Sequence, residues 1–304
     1  MILKKTNFLY FSLIFFTLVI GSGKNTAYAQ GDISLPSASD TTPDSVRVNN
    51  IFIVGNEKTK KSVILRELDF TTDYLYDWNT FLEILIADQK KIYNLRLFTS
   101  VEITPLITAE DQVEILITVK ERWYIVPQII FELADRNFSE WWTNQNRDFS
   151  RVNYGLRLSH SNVGGRNDKL KFAGQLGFTK ALDLQYSKPY IDKKQKHGLA
   201  AQLTYKENKT IPIKSEYNKQ VFYSNEQEDI IRKNFAAALR YTYRRSYYNY
   251  HFLTLGYSST WVADDVLTEN PEYFQHGGNK LRFAFATYTF RHDRRNNVSY
   301  ATDG

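Results

Sequence analysis

Between about Val126 and Phe290 the chain sets bulky apolar residues at alternate positions, so that in a strand the apolar and polar sets face opposite sides. The stretch Val152-Asn153-Tyr154-Gly155-Leu156-Arg157-Leu158-Ser159 shows the pattern most clearly. In the next stretch Leu170, Phe172, Leu176 and Phe178 stand against Lys169, Lys171, Gln175 and Gly177. The alternation resumes at Leu182, Leu184 and Tyr186, at Leu199, Ala201, Leu203 and Tyr205, at Phe235 to Tyr243, and at Leu253 to Trp261. Lys and Arg on one face would be costly in a dry core but not against a watery lumen, and the aromatic residues at the segment ends suit lipid–water boundaries. The pattern predicts an antiparallel transmembrane β-barrel over residues 122–304. A soluble β-sandwich also alternates, but segments of ~10 residues fit a membrane crossing better than the ~5–6 of ordinary strands.

The preceding residues, 46–121, read as a small α+β domain in the order β-α-α-β-β. Val48, Ile51, Ile53 and Val54 suggest a first strand, stopped by Gly55-Asn56. Thr59 is expected to cap a helix carrying Val63, Ile64 and Leu68, and Asp77 a second helix carrying Leu82, Leu85, Ile86, Ile92 and Tyr93. Val101 to Leu106 and Val113 to Val119 then form a hairpin around Thr108-Ala109-Glu110-Asp111.

At the amino terminus Lys4 and Lys5 precede an apolar run from Phe8 to Ile20 and a small-x-small site at Ala27-Tyr28-Ala29. Residues 1–29 are therefore expected to be a secretory signal peptide, the apolar run being shorter than the ~20 residues of a membrane helix. Gly21-Ser22-Gly23-Lys24 lacks the spacing of a phosphate loop, and residues 30–45 read as a linker. A mean hydropathy of −0.45 is compatible with a barrel, which hides its apolar residues in alternate positions. The chain has no cysteine, hence no disulfide or thiolate metal site, and its net charge of +6 is scattered without a compact basic run for nucleic acid.

Asn49 to Thr59 resembles the opening of a POTRA domain, with its apolar strand, Gly-Asn turn and following helix. Tyr93-Asn94-Leu95-Arg96-Leu97-Phe98-Thr99-Ser100-Val101 resembles that domain's signature after its second helix, although Arg96 and Leu97 stand where many such domains carry Gly before the Phe. Ile115 to Glu121 looks like its closing strand. In the second half, Ser161 to Asp168 resembles an early inter-strand turn, and Tyr186-Ser187-Lys188-Pro189-Tyr190-Ile191 a strand end with a Pro-Tyr pair, of the BamA and TamA type of outer-membrane assembly factor, the bacterial surface antigen family. Phe285 to Gly304 looks like that family's loop with Pro-Thr-Asp-Gly, Ala301 replacing the Pro.

The resemblance implies an outer-membrane protein insertion factor without enzymatic activity or cofactor. It would sit in the outer membrane of a diderm bacterium with its POTRA domain in the periplasm. Its partners would be unfolded outer-membrane protein clients and the lipid bilayer, with periplasmic chaperones or accessory lipoproteins. Client strands would add to the POTRA edge at Val101, Glu102, Ile103 and Thr104, and Gln128, Ile129, Ile130, Phe131 and Glu132 would form the barrel seam. The alternative function is a POTRA-barrel translocation pore of the two-partner secretion type.

The period-two rule gives about nine candidate strands, fewer than the larger closed cylinder of the resembled family. Nine antiparallel strands leave an unpaired edge, which lipid penalises, so a carboxy-terminally truncated barrel is expected, the alternative being a small complete barrel of eight strands. Catalytic chemistry is poorly represented. His160, His197, His251, His276 and His292 lack metal-ligand spacing, there is no Gly-x-Ser-x-Gly elbow, and His292-Asp293 reads as a loop pair at a strand end. Trp141-Trp142 reads as a boundary anchor in the first long loop rather than a stacking platform.

Overall fold

The computed structural model describes residues 43–135, 137–144, 146–217, 219–225, 230–274, 277–295, 297–298 and 301. The signal peptide with its Gly21–Lys24 segment, most of the linker, His276 and Thr302-Asp303-Gly304 lie outside the described residues. No helix among the described residues is long and apolar enough to cross a membrane, which says nothing of strands.

The N-terminal domain runs β1 (Ser45–Val54), α1 (Lys61–Leu65), β2 (Leu75–Asp77), α2 (Trp78–Tyr93), β3 (Phe98–Ala109) and β4 (Gln112–Glu121). Its four strands lie in the order β2-β1-β4-β3, with β1 parallel to β4 and the other pairs antiparallel. Alternation along β4 buries Val113, Ile115, Ile117 and Val119, which meet Val101 and Ile103 of β3 and Phe81, Leu85 and Ile92 of α2. β1 keeps the rule only by slipping phase. Val48 pairs with Val113 but Asn50 with Glu114, so one extra residue bulges and the inward set changes from Val46 and Val48 to Ile51 and Ile53. Val54 is consequently exposed.

The Asp77 cap forms, its Oδ2 accepting from the Thr80 amide at 3.0 Å. On α2 the buried face falls on Phe81, Leu85 and Ile92, with Leu82 half-buried and Ile86 exposed. The expected Thr59 cap does not form. Lys60 is the N-cap of α1 and makes no side-chain cap bond, because the Thr59 hydroxyl is engaged elsewhere. α1 is a single turn, so Leu68 lies beyond it, and the short β2 was not anticipated.

The second part is an eight-stranded antiparallel sheet that runs, strand by neighbouring strand, from Lys280–His292 at one end to Ile125–Leu133 at the other. Its strands are β5 (Ile125–Leu133), β6 (Val152–Ser161), β7 (Lys169–Gly177), β8 (Thr179–Lys188), β9 (His197–Asn208), β12 (Arg232–Arg244), β13 (Asn249–Val262) and β14 (Lys280–His292). A separate hairpin, β10 (Ile211–Glu216) and β11 (Lys219–Tyr223), interrupts the series, so against the expected nine or so strands the described residues hold eight in the sheet and two in this pair. The hairpin packs with α3 (Asp264–Glu269) around Ile211, Ile213, Ile231, Val262 and Val266.

Directly opposed residues of antiparallel strands share a face, so the register carries one apolar face across the sheet. Ile129 opposes Leu156, Phe172 opposes Leu184, Leu184 opposes Leu203, and Leu239 opposes both Ala201 and Leu255. On the other face polar side chains satisfy one another. Asp183 accepts from Gln202 and Thr204, at 2.9 and 2.7 Å, and Arg240 donates to Thr254 at 3.2 Å. β14 breaks the alternation: Leu281, Phe283 and Phe285 oppose Thr260, Ser258 and Gly256 on the polar face. Gly256 makes room, since a Cβ there would lie 2.2 Å from the Phe285 ring. Phe285 to His292, expected to lie in a loop, belongs to this strand.

Candidate functional site

Two strand edges and the junction between the N-terminal domain and the sheet carry the features relevant to function. β3 pairs only with β4 and therefore lies at an edge of the four-stranded sheet. Val101 and Ile103 turn into the core, the latter wholly buried, whereas Glu102 is exposed and Thr104 half-buried. The recognition elements available at this edge are backbone groups and the outward side chains, not Val101 or Ile103. Pro105 lies within β3 opposite Ile115, a position in keeping with an edge strand. β5 is the terminal strand of the larger sheet. Ile129 and Phe131 are 82% and 68% exposed on its apolar face, Gln128 and Glu132 are exposed, and Ile130 is buried.

The junction is assembled from turns that the sequence separates widely. In the turn between β6 and β7, Asn162 and Gly165 adopt φ of 61° and 76°. Asn162 Oδ1 accepts from the Asn167 amide at 2.8 Å, and Asp168 accepts from the Gly164 amide at 2.8 Å and from Tyr186 at 3.1 Å. Burial opposes the charge on Asp168, but those hydrogen bonds hold its carboxyl below the usual range. The turn thus presents two groups to the N-terminal domain. Gly165 O accepts from the Lys60 amide at 2.9 Å, and Asn162 Nδ2 donates to Thr59 Oγ1 at 2.9 Å. Thr59 Oγ1 also meets the Tyr124 hydroxyl, which donates to Leu97 O. Glu121, ending β4, accepts from the Lys58 and Thr59 amides. A Cβ on Gly165 would lie 2.3 Å from Lys58 O, so this approach requires glycine.

Beside this turn lies a buried ionic cluster. Arg244, at the end of β12, donates to both Glu67 carboxylate oxygens at 2.8 and 2.6 Å. Arg66 also contacts Glu67, and its guanidinium lies 3.5 Å from the centroid of the Tyr190 ring. Burial would raise the Glu67 carboxyl, but Arg244 and Arg66 more than offset this and hold it low. Burial pushes the Tyr190 hydroxyl up to about 12. Gln195 ties the next turn in, donating to Ser62 O at 2.9 Å and accepting from Arg66 through its carbonyl.

Arg96 occupies the position where glycine was expected and has a φ of 59°. The turn keeps a left-handed geometry without glycine, and the Arg96 side chain reaches Val298 O at 3.0 Å. Its positive φ was not legible from composition alone.

The remaining sequence candidates separate. His292 contacts Asn249 at 2.7 Å while Asp293 binds Arg295 at 2.6 Å, so the two neighbours do not face one another. No metal-holding group of three His, Cys, Asp or Glu occurs among the described residues. Trp141 is buried, donating to Asp148 O at 2.8 Å, and Trp142 stacks on Phe138 with the Arg147 guanidinium above it.

Residues 46–122 match the family model for POTRA, surface antigen variable number repeat. A search of curated proteins finds no match. Among solved structures, the crystal structure of BamA from Haemophilus ducreyi lacking POTRA domains 1–3 aligns with a TM-score of 0.51 at 15% identity, covering 85% of this chain and 46% of that one. The chain therefore spans a little under half the length of that BamA, and the likeness is one of fold. CdiB from Escherichia coli aligns with a TM-score of 0.43 at 13% identity, over 82% of this chain and 42% of its own.

Proposed function

Since residues 46–122 are a POTRA domain and the strands after them share the fold of BamA, we propose that this chain acts in assembling outer-membrane proteins. In this reading residues 1–29 are a signal peptide, 30–45 a linker, 46–121 the POTRA domain in the periplasm, and 122–304 the N-terminal part of a barrel in the outer membrane. Client chains add as a strand to the β3 edge around Val101 to Thr104, using main-chain hydrogen bonds with little demand on client sequence. β5, through Gln128 to Glu132, supplies the seam against which a nascent barrel strand pairs, since lipid penalises an unpaired edge. No catalytic step enters.

The observation that carries the reading is the placement of the β3 edge on a domain joined to the strands by a buried junction, because a captured segment would then be held close to the barrel. The test is photo-crosslinking in cells, with the reactive group at Glu102 and, separately, at Phe131, combined with depletion of the protein. Outer-membrane proteins crosslinked at both positions, and accumulating unfolded on depletion, are expected. Depletion that leaves outer-membrane protein folding unchanged would overturn the reading. A secreted substrate crosslinked only at Arg157 or Lys171 on the polar face would establish a translocation pore in its place.

A further inference from the structure

A cavity of about 270 Å³ lies where the POTRA domain meets the ends of the strands. Arg66, Lys91 and Arg295 line it, but each is matched to a carboxylate: Glu67, Asp88 and Asp293. Arg96, Lys169 and Arg291 line it too, and among the described residues none of these has a carboxylate within ion-pair distance, although Arg291 acts on Asp293 from further off and lies over the Tyr250 ring at 4.5 Å. Another wall residue, Asn167, is 8% exposed, and its Oδ1 is buried without a hydrogen-bond partner. Buried acceptors are ordinarily satisfied, so this one marks a place for a donor.

Three cations without an ion-pair partner around one volume call for an anion, and a lone acceptor among them calls for an anion that has kept a proton. We propose that the cavity binds hydrogen phosphate. Its charged oxygens accept from Arg96, Lys169 and Arg291, and its hydroxyl donates to Asn167 Oδ1. Arg96 follows α2 of the POTRA domain, whereas Lys169 and Arg291 lie on β7 and β14. A bound phosphate therefore bridges the domain to the strands.

The discriminating experiment is calorimetric titration of the full chain in detergent micelles at neutral pH, with inorganic phosphate, sulfate and dimethyl phosphate as separate probes. Sulfate and dimethyl phosphate are anions without a proton to donate, and the latter mimics a lipid phosphodiester. Phosphate is expected to bind, with the other two about tenfold weaker or more because Oδ1 is left unpaired. Lys169→Gln and Arg96→Gly should each weaken phosphate by about tenfold or more through loss of a charge-assisted bond. Arg96→Gly suits the left-handed backbone at that position, which separates loss of the site from loss of the fold. Absence of phosphate binding, equal binding by both variants, or sulfate and dimethyl phosphate binding as tightly as phosphate would each overturn the proposal.

Discussion

Replacing Glu67 by alanine tests whether the buried ion pair holds the POTRA domain against the strands. The side chains of Glu67 and Arg244 are 1% and 10% exposed, so the variant leaves the Arg244 guanidinium, and that of Arg66, in the junction without their carboxylate. Removing one partner of a buried pair costs about 3–5 kcal/mol while the site stays closed. Opening the junction hydrates Arg244, so the observed cost cannot exceed the free energy of opening. The lost energy should therefore appear as domain undocking before it appears as unfolding. The Lys60 amide reports on this directly, since its acceptor is Gly165 O across the junction.

A loss of about 3 kcal/mol corresponds to roughly a hundredfold fall in the protection of that amide from hydrogen exchange. The Ile117 amide, within the POTRA core, should be unaffected. The double variant Glu67→Leu/Arg244→Met removes this pair and leaves apolar groups of similar size, so it should recover part of the Lys60 protection, Arg66 remaining without its carboxylate. Unchanged exchange in Glu67→Ala would refute the latch. So would a double variant as open as the sum of the single ones, because the two side chains would then be energetically independent.

Gly165→Ala should also release Lys60, by at least about 1 kcal/mol, because its φ of 76° and the 2.3 Å approach to Lys58 O both exclude a Cβ. Gly277→Ala, at φ 56° with nothing within 4 Å, supplies the control and should leave Lys60 exchange unaltered. Leu239→Lys on the apolar face, where the native side chain is 64% exposed, should lower stability in lipid vesicles by about 2–4 kcal/mol, while Ala238→Lys on the polar face costs little. Equal effects in urea titrations would reverse the assignment of faces. Burial raises the Asp88 carboxyl to about 6 from 3.8, against the opposing pull of Lys91 and the Asp69 amide. The folded state thus retains a proton that the unfolded chain loses first, a stabilisation fully present below pH 3.8 and lost as pH rises through about 6. The wild type should accordingly lose about 3 kcal/mol relative to Asp88→Asn between about pH 3 and pH 7. A stability difference that stays flat over that range would contradict this sign.

Strand existence was legible because a two-faced sheet imposes period two on the residues, and Leu182 to Tyr186 or Leu253 to Tyr257 follow it without exception. The Asp77 cap was legible because its partner is three residues away. Thr59 looked equally suited to capping, but its hydroxyl is taken by Asn162, a hundred and three residues later, and no local pattern encodes that. Arg96 misled in the opposite direction. The POTRA signature that this segment resembles commonly carries glycine beside that position, yet the backbone at Arg96 is still left-handed, and the side chain spans to Val298. The β10–β11 hairpin and α3 escaped notice because their shared core joins segments on either side of two long strands.

The sheet and the junction make different demands on the sequence. A sheet strand asks only for polarity at alternate positions, and many sequences supply it. The contacts between domain and strands ask for more. Gly165 must lack a Cβ, Asn162 must accept from Asn167 and donate to Thr59 at once, and Tyr190 must offer a ring to Arg66. The Ser161–Asp168 turn and the Pro189-Tyr190 pair both resembled family motifs in the sequence, and both lie at this one place in the structure. Residue-specific signals therefore concentrate where geometry is demanding. The strand edges proposed to meet clients act through backbone groups, and for that reason leave little trace in residue identity.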